Sequence, residues 1–137
     1  MGPGKTVAVA WLGRSQVFRS DIAGKPSIVV DGNSDEGPSS VDALLIAMAT
    51  CTGSDVVDIL RKKRLELREL RIEVGGTRRD DYPRRFTALD LVYRVTAPGA
   101  SEQHVRQAID LSLQKYCSVT HSLNPDIPIR YELVLEA

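Results

Sequence analysis

The chain carries two cysteines, Cys51 and Cys117, each in its own apolar, helix-like stretch. A thiol on the buried stripe of one helix and a second on another are the minimum for a reversible dithiol–disulfide cycle. They lie 66 residues apart, so only tertiary structure can pair them. At an ordinary thiol pKa of about 8.5 only a few per cent is thiolate at neutral pH. Lowering it to about 6 raises that fraction roughly thirtyfold, so a reactive Cys51 calls for a nearby cation. Arg14 and Arg19, in the early strands, are the candidates. The plainer alternative is that both cysteines are small hydrophobes filling core positions. Cys117 and His121 are four apart, and with Cys51 they make three soft ligands. A zinc site needs such a set, but no Cys-x-x-Cys or His-x-x-x-His pattern accompanies it. His104 and His121 are therefore read as surface residues, and no metal or cofactor is expected.

The elements that must hold these residues follow from periodicity. Thr6–Trp11, Arg14–Arg19 and Ser27–Asp31 read as short strands broken at Gly13 and Gly24-Lys25-Pro26. A polar loop from Asp31 leads into a long helix. Ser39 or Ser40 is its N-cap, and Asp42 is a capping-box acid at the positive end of the helix dipole. From Ala43 to Cys51 the helix is apolar nearly all round, the mark of a central helix covered on every side. Leu44, Met48, Cys51 and Asp55 share one face, with Leu44, Leu45 and Met48 walling the thiol. The helix closes on Arg61-Lys62-Lys63-Arg64, cations at the negative end of the dipole rather than a nucleic-acid site. Leu70, Ile72 and Val74 alternate as a strand, Gly75–Arg85 is a charged connection, and Phe86–Val95 pairs back. A second helix begins at Ser101 with apolar positions Val105, Ala108, Ile109, Leu113, Tyr116 and Cys117. A last strand alternates Ile129, Tyr131, Leu133 and Leu135. The order predicts an α+β fold with an antiparallel sheet packed on two long helices.

At 137 residues, 42% apolar and 26% charged, residues 1–137 fit a single domain with its own core. The 18 basic and 18 acidic residues cancel, so total charge points to neither nucleic acid nor an anionic membrane. No uninterrupted apolar run has the length of a membrane span, and the first residues alternate instead of forming a signal-peptide core. A reducing cytoplasm is the expected compartment, where cysteines are catalytic, redox-active or buried before they are structural disulfides. Gly53, with Ala47, Ala49 and Thr50 nearby, leaves room for another backbone. One sheet and two helices could hardly cover an all-round apolar helix, so a homodimer is expected.

Gly37-Pro38-Ser39-Ser40-Val41-Asp42-Ala43-Leu44-Leu45 followed by Cys51-Thr52-Gly53-Ser54-Asp55-Val56-Val57-Asp58-Ile59-Leu60 resembles the first cysteine helix of the OsmC/Ohr family. Lys115-Tyr116-Cys117-Ser118-Val119 is similar to its second cysteine motif, and Asp31-Gly32, Pro83–Thr87 and the element order extend the likeness over nearly the whole chain. The resemblance implies an intertwined homodimer around the cysteine helices and thiol-dependent reduction of organic hydroperoxides, recycled by a dithiol. It places Cys51 at the peroxidatic position and Cys117 at the resolving one. The candidate acid, Asp42, stands one position after the family's acid, and Arg19 is carried as the activating cation from the strand reading above, not from the resemblance. Val41 stands where characterised members carry an acid, and Ser118 where a proline commonly follows the second cysteine. Both departures resemble the less characterised OsmC-like branch. The alternative from another class is a non-catalytic dimeric domain that senses oxidation or binds a small apolar ligand.

Overall fold

The computed structural model describes residues 2–136. They form two compact units, one up to Leu44 and one from Leu45 onward. In the first, β1 (Ala8–Trp11), β2 (Val17–Asp21) and β3 (Val29–Asp31) make an antiparallel sheet in that order. Asp31 anchors the loop that follows. One carboxylate oxygen accepts the Asn33 N–H, and the other accepts those of Asp35 and Glu36. These bonds hold its pKa below the usual carboxylate range. Helix α1 (Ser40–Lys62) starts on a reciprocal capping box. Ser39 Oγ accepts the Asp42 N–H, and the Asp42 carboxylate accepts the Ser39 N–H, both at 3.1 Å. Its far end closes with Arg64 at φ 59°, as the Leu65 N–H reaches back to the Leu60 carbonyl.

The second unit holds the rest of α1 and a sheet of β4 (Glu69–Arg78), β5 (Phe86–Thr96) and β6 (Ile129–Glu136). Along β5, Leu89, Leu91, Tyr93 and Val95 are buried while Asp90 and Arg94 are exposed, the period of two of a half-covered strand. These side chains, with Met48, Val56 and Leu60 of α1 and Val105, Ala108 and Ile109 of α2 (Glu102–Leu111), are the core.

Three expectations change. The sheet is not wholly antiparallel: β6 runs parallel to β5, because a strand–helix–strand connection returns the chain in the same direction. The hairpin loop is shorter than Gly75–Arg85, since β4 continues to Arg78. The second helix is not one long element. After α2 it widens into a π-turn, Ser112–Tyr116, and a short α3 follows, Ser118–His121. The π-turn inserts a residue, so the buried series runs Val105, Ala108, Ile109, Ser112, Cys117, and Tyr116 is thrown outward, 51% exposed.

Helix α1 is long and apolar enough, by length and composition, to cross a membrane. No uninterrupted apolar run has that length, because Asp42, Asp55 and Asp58 interrupt it. Met48, Thr52, Gly53, Val56 and Leu60 are buried, but the other faces of the helix are half-buried or exposed, Ile46 and Leu44 among them. Helix α1 is therefore covered along one stripe and not on every side as its composition suggested.

Candidate active site

The buried stripe of α1 advances by four: Met48, Thr52, Val56, Leu60. Cys51 therefore flanks the stripe and is half-buried, rather than sitting at its centre. Cys117 is fully buried, and both are free thiols. The chain leaves helical geometry at Cys117, with φ −72° and ψ 98°, and its sulfur caps α3. Thr120 donates to that sulfur twice, from Oγ1 at 2.9 Å and from its N–H at 3.4 Å. An oxygen side chain usually fills this position. Burial pushes the Cys117 thiol pKa up. The two Thr120 bonds pull the other way, and the neighbouring Cys51 side chain adds to the rise. The two thiols thus differ: Cys51 is half-buried, whereas Cys117 is sealed and its pKa is raised by burial.

Beside them runs a buried chain of hydroxyls. Tyr93 Oη lies 2.8 Å from Thr52 Oγ1, Ser112 Oγ lies 2.8 Å from Thr52 Oγ1, and Ser112 Oγ donates to Asp55 Oδ2 at 2.8 Å. Thr52, Tyr93 and Ser112 are wholly inaccessible, and Tyr131 packs edge-on to Tyr93 with ring centroids 5.6 Å apart. Burial is the main force pushing the Tyr93 pKa well above its ordinary value, against the opposing Thr52 hydrogen bond. Sequence reasoning missed Thr52 and Ser112. The signal was present: one hydroxyl residue within each otherwise apolar buried stripe, Thr52 between Met48 and Val56 on one helix and Ser112 after Ile109 on the other.

The remaining expected residues divide. Met48 is fully buried, so it belongs to the core and not to an accessible wall; Leu44 is 39% exposed and Leu45 half-buried. Asp42 is engaged in the cap of α1. Arg14 is held by Glu36 in a bidentate pair at 2.8 and 2.6 Å. Arg19 is exposed on β2 and makes no side-chain hydrogen bond or ion pair among the described residues. Gly53 does not wait for a second helix. A Cβ there would lie 3.0 Å from Ile72 Cδ1, so its smallness lets β4 of the same chain approach. His121 ends α3, exposed, and among the described residues no group of three or more His, Cys, Asp or Glu is placed to hold a metal.

Comparison with known proteins bears on the same residues. A model of the family described as OsmC-like protein matches residues 32–132, which include both cysteines. Protein YhfA of Escherichia coli is 36% identical over 129 residues, covering 92% of this chain and 96% of its own length. The crystal structure of a hypothetical protein from Aquifex aeolicus superposes with a TM-score of 0.84 at 28% identity, over 99% of this chain and all of the other. An OsmC-like protein from Mycoplasma pneumoniae also gives 0.84, at 18% identity over the full length of both, a likeness of fold.

Proposed function

Because the chain belongs to the OsmC-like family, we propose that it is a thiol-dependent peroxidase reducing organic hydroperoxides, with Cys51 peroxidatic and Cys117 resolving. The observation that carries this reading is the asymmetry of the paired thiols. Cys51 is half-buried and is the thiol an oxidant meets in this reading, whereas Cys117 is fully buried and is kept from it. The Cys51 thiolate attacks the outer oxygen of the hydroperoxide in line, the O–O bond breaks, and the alkoxide leaves as the alcohol after taking a proton. Cys51 is then a sulfenic acid. The Cys117 thiol displaces its hydroxyl as water, forming the disulfide, and an external dithiol in a reducing cytoplasm restores both thiols.

An alkyl hydroperoxide suits the site better than hydrogen peroxide. The apolar surface of α1 beyond the core, including Ile46 at 50% exposed and half-buried Leu45, gains from covering a tail, at about 25 cal/mol per Å². The exposed apolar set Val9, Trp11 and Phe18 on the first sheet supports assembly with a second copy of the chain. Light scattering on the purified protein should give the dimer mass; a monomer at micromolar concentration would reject that part of the reading.

Dithiol-dependent consumption of cumene hydroperoxide is the assay. Turnover should vanish in Cys51→Ser and become dependent on external thiol at the resolving step in Cys117→Ser. Wild-type turnover no faster than Cys51→Ser would overturn the enzyme reading. One oxidation event per chain without turnover would leave a redox-sensing domain instead.

A further inference from the structure

Ser112 uses both of its oxygens at the junction of the two cysteine segments. Its carbonyl accepts the Cys117 N–H at 2.8 Å, the bond that closes the π-turn. Its hydroxyl reaches Thr52 and Asp55 of α1, and Thr52 directly follows Cys51. One residue therefore ties the backbone that carries the second thiol to the helix turn that carries the first.

The direction of the chain can be worked out. A carboxylate only accepts, and each hydroxyl has one proton to give. Ser112 must donate to Asp55, so Thr52 donates to Ser112 and Tyr93 to Thr52. Each proton is used once, and among the described residues no buried polar side-chain atom is left without a partner. A network so completed in a dry site has one arrangement, and that fixes where the π-turn sits on α1.

We propose that Ser112 is a positioning residue for disulfide formation, holding the Cys117 turn against α1 so that the two sulfurs meet once Cys51 is oxidised. This rests on the thiol cycle proposed above. In the step concerned, the Cys117 sulfur bonds to the Cys51 sulfur, the S–O bond of the sulfenic acid breaks, and the hydroxyl leaves with the thiol proton as water. Ser112 touches neither the peroxide nor a sulfur through its side chain. It acts on the geometry of condensation and leaves the first attack alone.

The test separates the two steps in a single turnover. Reduced protein is mixed with one equivalent of cumene hydroperoxide and quenched over time with dimedone, and intact mass distinguishes trapped sulfenate from disulfide. In Ser112→Ala, peroxide consumption should keep its wild-type rate, while condensation slows on the order of ten- to a hundredfold and trappable sulfenate accumulates. Ser112→Thr, which keeps the hydroxyl, should restore fast condensation. Equal slowing of both steps, or wild-type condensation in Ser112→Ala, would overturn the proposal. Should Ser112→Ala not fold by circular dichroism, Thr52→Val combined with Asp55→Ala removes both partners of the Ser112 hydroxyl on α1 and takes its place. A parallel arm uses diamide, which oxidises neighbouring thiols to a disulfide without a peroxide. If wild type ignores the hydroperoxide but closes quickly with diamide, and Ser112→Ala closes slowly, the peroxidase reading fails and the positioning role stands. Equal diamide rates would sink the positioning role whatever the peroxide does.

Discussion

Replacing Thr52 by Val tests how much of the fold hangs on the hydroxyl chain beside the thiols. Valine has nearly the shape of threonine, so the packing with Met48 and Val56 persists and only polar terms change. Thr52 Oγ1 accepts from Tyr93 and donates to Ser112, each at 2.8 Å in a site without water access. Its removal strands the Tyr93 hydroxyl with no acceptor, and an orphaned buried donor costs about 1–3 kcal/mol. With the lost bond to Ser112 the expected destabilisation is about 2–3 kcal/mol. Tyr93→Phe is milder, about 1 kcal/mol, because Thr52 still donates to Ser112 and the ring keeps its edge contact with Tyr131. The double variant has no orphan phenol, so it should cost about 1–2 kcal/mol less than the sum of the singles. Urea unfolding of the reduced protein at one fixed concentration measures all four states. The folded-state phenol pKa is raised, so its contribution is complete below the unfolded value of about 10 and is lost as pH rises towards the folded one. The stability gap between wild type and Tyr93→Phe should therefore narrow above about pH 10. Additivity within about 0.5 kcal/mol, or a Thr52→Val cost no larger than that of Tyr93→Phe, would refute the chain as described.

Burial raises the Cys117 pKa, so its contribution is present below the unfolded thiol value of about 8.5 and is lost as pH rises through the folded one. Thermal melts of reduced wild type should fall above about pH 8.5 more steeply than those of Cys117→Ala. Asp31 has the opposite sign: its depressed pKa contributes above about 4 and fades as pH falls through the folded value. Asp31→Asn should lower the melting temperature at pH 7 and flatten the acid limb. A Cβ at Gly37 would sit 2.6 Å from the Val29 carbonyl oxygen, backbone that cannot step aside. Gly37→Ala should then cost about 1–3 kcal/mol by denaturant unfolding. Gly75→Ala, with nothing within 4 Å, is the near-neutral control.

What could be read from the sequence was local. The capping box at Ser39 and Asp42, the extent of the cysteine helix, and the alternation of Leu70, Ile72 and Val74 along β4 depend on neighbours within a few residues, and each appears as expected. The misreadings have a common cause, which is that the deciding partner is distant in sequence. The parallel placement of β6 is set by the crossover and not by its own alternation. Gly53 is matched to Ile72 of β4, a contact that helix periodicity cannot foresee. Tyr116 was assigned inward on a regular helix, and the π-turn rotates it out. The cysteines were legible as residue types, but their unlike burial was not, because that depends on how the π-turn docks on α1.

That unlike burial gives two chemically identical thiols separate tasks. A regular helix would continue through Ser112, and the Cys117 N–H would bond to the Leu113 carbonyl. Instead it bonds to Ser112, the turn widens, and Cys117 leaves helical geometry with its sulfur facing inward as the cap of α3. Its hydrogen bonds from Thr120 orient the sulfur, while burial keeps the proton on it at neutral pH. Cys51 has the contrary setting, one position before the buried Thr52 on a continuous helix and partly open to solvent. In the cycle proposed here, the thiol with access takes the oxidant and the thiol without it waits within reach. A thiol held protonated by burial is protected from the first oxidation and carries the proton that leaves with water in the second. Among the described residues, the hydroxyl chain from Tyr93 to Asp55 is what joins the two settings, and it does so through the single residue at which the helix widens.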